Sequence, residues 1–127
     1  MSKIIFLNGD SSAGKSSVAR EITSMNSIVS KVDKNEICQK IINKIKKYET
    51  IICLRHIDAD GDAYGSTMGL AQLIKDNFPQ KEVFTDGKNN ENLSFLGKND
   101  QLIKENYQNS LAIICDTANQ GRIDSEH

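Results

Sequence analysis

The sequence predicts an α/β fold of three αβα layers around a mostly parallel sheet. Three observations predict it. Ile51–Leu54 and Leu111–Cys115 are continuous apolar runs, the pattern of strands covered on both faces. Stretches with apolar residues at helical spacing alternate with these runs. Acidic residues gather just past the ends of the runs, where open parallel sheets bind their ligands.

Each element follows in chain order. Ile4–Leu7 reads as a short buried strand, Asn8–Ser12 as a turn-rich loop, and a helix follows from about Gly14 to Thr23. Residues 24–32 show no period and read as a linker. Asp33 with Glu36 resembles a capping box that opens a helix carrying Ile37, Ile41, Ile42, Ile45 and Tyr48 on one face. Lys40, Lys44, Lys46 and Lys47 fall mostly on the other, as a solvated face. After the Ile51–Leu54 strand, a helix is expected from about Asp62 to Asn77, stopped by Pro79. Its apolar set is Ala63, Met68, Leu70, Ala71, Leu73, Ile74 and Phe78. Glu82–Thr85 is a short strand closed by an Asp86-Gly87 turn, and residues 88–92 are polar loop. Leu93, Phe95 and Leu96 form an apolar patch ended by Gly97. Residues 99–109 suit a short helix before the Leu111–Cys115 strand.

Composition bounds the function. The 127 residues are enough for one core, and the net charge of −1 gives no global pull toward nucleic acid or anionic membrane. No apolar run approaches the roughly 20 residues needed to span a bilayer, and Ile4–Leu7 is too short for a signal peptide. A cytoplasmic protein without membrane contact is expected. Cys38, Cys53 and Cys115 are widely spaced, and no CxxC or HxxxH pattern suggests zinc.

Residues 51–66, IICLRHIDADGDAYGS, carry the chemistry. The apolar run ends at Arg55 and His56, and Asp58, Asp60 and Asp62 follow. Asp116 stands at the end of the other long apolar run. If the two strands are neighbours, an imidazole and several carboxylates converge. Hard oxygen donors with one imidazole suit Mn²⁺ or Mg²⁺ better than zinc. Paired ions of this kind clamp a phosphoryl group and lower the pKa of a bridging water. Asp58 reads as a turn residue beside a helix start. Gly65 and Ser66 are expected at the start of the helix, as phosphate contacts through backbone N–H groups.

HIDADGDAYGS at 56–66 resembles the first motif of the DHH-type phosphoesterases, close to H-x-x-P-D-x-D-A-x-G-S, with Ala59 where proline is usual. LAIICDTANQGRI at 111–123 resembles the second, and LSFLG at 93–97 looks like the branch that degrades very short RNA and dephosphorylates 3′-phosphoadenosine 5′-phosphate. The resemblance covers about residues 31–127. It implies that His56, Asp60, Asp62 and Asp116 ligate two Mn²⁺ ions, with short RNA or a nucleotide as substrate. The Asp-His-His motif that names the family lies downstream of the second motif, and the sequence stops at His127 before it. The implied unit is therefore the N-terminal part of a DHH domain at 33–127, with activity impaired by truncation, or a non-catalytic fragment.

Residues 1–23 form a separate strand-loop-helix unit, joined by the linker 24–32. Gly9 to Ser16 matches G-x-x-x-x-G-K-[ST] after a strand and before a helix. IIFLNGDSSAGKSS resembles the P-loop of chloramphenicol phosphotransferase-like kinases over about residues 3–22. The alternative function is thus an ATP-binding kinase-like module, with Gly9, Gly14, Lys15, Ser16 and Ser17 holding ATP and Mg²⁺. A working P-loop binds ATP in equilibrium dialysis and loses it in Lys15→Ala; no ATP binding by the unaltered chain removes this alternative.

Overall fold

Runs rich in isoleucine settle as strands because branched side chains pack well on a pleated surface. The computed structural model describes residues 3–7, 34–117 and 119–125. Among these residues four strands form one sheet: β1 (Lys3–Leu7), β2 (Thr50–Leu54), β3 (Glu82–Thr85) and β4 (Leu111–Cys115). Their order is β1-β4-β2-β3, and every pairing is parallel. Ile51 lies opposite Leu111 and Leu54 opposite Ile114, so β2 and β4 run side by side at the sheet centre.

Among the described residues two α-helices cover one face. α1 (Lys34–Lys47) and α2 (Gly61–Asn77) lie close to the predicted bounds. Ile45 and Tyr48, at the end of α1, and Leu70, Ala71 and Ile74 of α2 pack on Ile51, Cys53, Val83, Leu111, Ile113 and Cys115. Lys81 is buried and its ammonium donates to the carbonyls of Lys46 and Tyr48 at 3.1 and 2.6 Å. It thereby satisfies oxygens that the end of α1 leaves open.

Among the described residues the opposite face carries no α-helix. Ile52, Leu54, Ala112 and Ile114 are covered by Phe84, Leu102, Tyr107 and Ile123, the last three from irregular segments. The helix expected over 99–109 contracts to one 3₁₀ turn, Lys104–Tyr107. The Asn106 side chain accepts from the Ile103 N–H at 2.9 Å, and Asn109 adopts φ 57, so local bonding and a left-handed residue stop the helix. A second 3₁₀ turn, Glu91–Leu96, leaves Phe95 78% exposed and ends at Gly97 with φ 135. On α2, Leu73 is 53% exposed despite its expected place in the core, whereas Tyr64, absent from the expected apolar set, is fully buried.

The loop from Gly9 to Ser17, the helix expected after it, the linker 24–32 and the capping residue Asp33 lie outside the described residues. β1 bears out the short strand expected at Ile4–Leu7.

Ile113 has no exposed surface and sits in the central strand pair. Ile113→Ala should lower stability by about 2–5 kcal/mol, read as a shift in the chemical denaturation midpoint.

Candidate metal centre

Because β2 and β4 are neighbours, their carboxyl ends open onto one place. His56 stands two residues past β2, and Asp116 directly follows β4. Asp116 has φ 56, a left-handed turn that takes the chain out of the strand direction. The chain then returns to the site. Ile123 bridges His56 in antiparallel fashion, the Ile57 N–H donates to the Arg122 carbonyl at 2.8 Å, and the Asp124 N–H donates to the Arg55 carbonyl at 2.9 Å. His56 is therefore anchored in backbone on both sides.

Asp60 caps α2. Its Oδ1 accepts from the N–H groups of Asp62 and Ala63 at 3.1 and 3.0 Å. Two of the donors that a helix start leaves open are thus satisfied, and the carboxylate is fixed at the positive end of the helix.

His56, Asp60 and Asp116 each bring one ligand atom into a group whose members lie within 4.8 Å of one another. His56 Nε2 stands 3.7 Å from Asp116 Oδ2. His56 Nδ1 lies 2.8 Å from the Ile57 carbonyl. A carbonyl only accepts, so Nδ1 is the donor of this contact, and Nε2 is the nitrogen that faces Asp116. Donors about 2.1 Å from one ion stand between about 3.0 Å (cis) and about 4.2 Å (trans) apart. The 3.7 Å separation falls in that range, and one imidazole with two carboxylates fits a hard divalent cation.

The other expected site residues fall elsewhere. Asp62 occupies the first turn of α2 beside Asp60 and is not part of the three-residue group. Asp58 is exposed with φ 55, the turn role expected of it. Gly65 and Ser66 do not open the helix: α2 begins at Gly61, so their N–H groups belong to its second turn and are used within it. Ser66 is also buried. The cysteines offer no ligand here. Cys38 is half-buried, and burial pushes the Cys53 thiol well above its ordinary pKa, with Cys115 adding to the effect.

Arg55, Tyr64, Asn99 and Asp124 were not singled out by sequence. Arg55 is fully buried, with its guanidinium 4.1 Å over the Tyr64 ring. Burial lowers its pKa, opposed by Tyr64, Asp124, Asp86 and Cys115. Asp124 is also buried, and its Oδ2 accepts from the Lys88 N–H at 2.7 Å. A Cβ at Gly87, where φ is 120, would stand 2.8 Å from that same oxygen, so this turn requires glycine. The available signal was a cation placed between an apolar run and the candidate-site histidine.

Fold and site together define a small α/β domain with a candidate divalent-cation centre at the carboxyl edge of an all-parallel sheet. The chain is 44% identical over 87 residues to the protein named bifunctional oligoribonuclease and PAP phosphatase NrnA of Bacillus subtilis (strain 168), which is 68% of this chain and 28% of that protein. It is 46% identical over 86 residues to "Probable bifunctional oligoribonuclease and PAP phosphatase NrnA" of Streptococcus mutans serotype c, covering 68% of the chain and 28% of that protein. A relative of the same name, without "Probable", in Mycoplasma genitalium is 38% identical over 85 residues, 65% of the chain and 27% of that protein. The chain thus spans under a third of the length of these curated relatives. No family model matches it. No helix among the described residues is long and apolar enough to cross a membrane.

Asp60 holds a structural and an electrostatic place at once, and two variants separate them. Asp60→Asn keeps the cap and should melt close to the unaltered chain, whereas Asp60→Ala should lose about 1 kcal/mol in thermal unfolding followed by circular dichroism.

Proposed function

We propose that the chain carries the metal-ligating N-terminal part of a phosphoesterase that hydrolyses phosphate ester bonds of short oligoribonucleotides or 3′,5′-bisphosphonucleotides. The observation that carries this reading is the convergence of His56, Asp60 and Asp116 within 4.8 Å at the carboxyl ends of adjacent parallel strands. The activity named for relatives up to 46% identical supports the substrate class.

In this reading His56, Asp60, Asp62 and Asp116 hold Mn²⁺, two ions in the complete site. The ions supply charge neutralisation at the phosphoryl oxygens and activation of the attacking water. The chain's own residues do the positioning. The Ile57 carbonyl holds His56 in the tautomer that presents Nε2. The bonds from Asp62 and Ala63 hold the Asp60 carboxylate in one orientation. Asp62, two residues on in the first turn of α2, supplies the further carboxylate beside Asp60. Gly65 leaves room beside α2 for a phosphate without donating its N–H, since a Cβ there would meet nothing within 4 Å. The setting is the cytoplasm, where such substrates arise.

Isothermal calorimetry with Mn²⁺ tests the reading. The unaltered chain should bind, and Asp60→Asn and Asp116→Asn should each weaken binding by more than about tenfold. Absence of binding, or binding indifferent to both substitutions, overturns it.

A further inference from the structure

A fully buried guanidinium needs a reason, because removing a cation from water is unfavourable unless its donors are satisfied. At Arg55 the three acceptors are neutral oxygens. Nη1 donates to Asn99 Oδ1 at 2.9 Å and to the Asp86 carbonyl at 3.4 Å, and Nη2 donates to the Lys88 carbonyl at 3.0 Å. Among the described residues its buried Nε has no hydrogen-bond partner. The guanidinium also lies 4.1 Å from the Tyr64 ring on α2. The carboxylates of Asp124 and Asp86 offset part of the charge from nearby.

The elements it joins are informative. Arg55 directly precedes His56 and receives the Asp124 N–H on its own carbonyl at 2.9 Å. Tyr64 lies one helical turn beyond Asp60 and donates its hydroxyl to Asn89 at 3.3 Å. Asn99 also holds this loop, donating to the Gly87 carbonyl at 2.7 Å, and Asp124 holds it through Lys88. One planar group therefore ties the segment bearing His56, the helix bearing Asp60 and the loop 86–89 into a single unit.

We propose that Arg55 is a positioning residue for the candidate metal centre: its guanidinium sets His56 and Asp60 at a fixed distance from Asp116 without touching the ion. This inference rests on the metal reading above. A lysine at this place has a compact charge and cannot span three acceptors and a ring face in one plane.

The test uses the full chain with Arg55→Lys and Tyr64→Phe, the latter keeping the ring face. Mn²⁺ affinity is measured by calorimetry and ligand-field symmetry by the Mn²⁺ EPR line shape, beside a thermal melt. Arg55→Lys should weaken Mn²⁺ binding by about tenfold and broaden the EPR signal while still melting cooperatively. Tyr64→Phe should stay within about twofold. A folded Arg55→Lys protein with unaltered affinity and line shape overturns the proposal. If Arg55→Lys does not fold, Asn99→Ala takes its place, and an unaltered EPR signal there overturns it equally. If the unaltered chain binds no Mn²⁺, the metal reading fails by itself. The role of Arg55 in geometry is then decided in metal-free protein, where the His56 imidazole ¹⁵N shifts must differ between the unaltered chain and Arg55→Lys; identical shifts overturn it.

Discussion

The parallel ladder between β2 and β4 is the constraint on which the rest of the molecule depends. Parallel strands end on the same side, so pairing Leu54 with Ile114 brings the residues after both strands to one edge. His56 and Asp116 are distant in sequence and meet only through that pairing. The ladder is itself secured by side chains without exposed surface, Ile51, Ile52, Cys53, Leu111 and Ile113 among them. Burying aliphatic side chains of this size stabilises a fold by about 1.5–3 kcal/mol each, enough to impose an arrangement of carboxylates that would otherwise repel.

The helix start then does what the sheet cannot. A carboxylate on a bare loop has many orientations, and ordering it is entropically unfavourable. Asp60 is ordered by the helix it caps, so the same hydrogen bonds that begin α2 also aim a charge at His56 and Asp116. His56 is ordered in a comparable way by the carbonyl of its own neighbour. Each of these two side chains is thus held by backbone that the fold must form in any case.

Most of the fold was legible in the sequence because apolar period and turn residues agree. The runs Ile51–Leu54, Glu82–Thr85 and Leu111–Cys115 all became strands, and Pro79 stands just past the end of α2. The short segment 99–109 was not legible, because an Asn106 side-chain bond and a left-handed Asn109 outweigh a weak helical pattern. Of the site, the order of His56, Asp60 and Asp116 was readable, but their meeting depended on strand order, which spacing does not encode. The burial of Arg55 was hidden because its partners are carbonyls and an amide from a distant loop, and such partners leave no charge pattern in sequence.

The antiparallel bridge between His56 and Ile123 has a temporal consequence. A ribosome makes His56 long before it makes Ile123, and a contact so distant in sequence closes late because its loop entropy must be overcome first. The nascent chain can therefore form β2 and α2 while the acidic pocket is still open on one flank. The full backbone setting of His56 is complete only when the segment 122–124 docks, which makes that setting a reporter of completed folding rather than a seed for it.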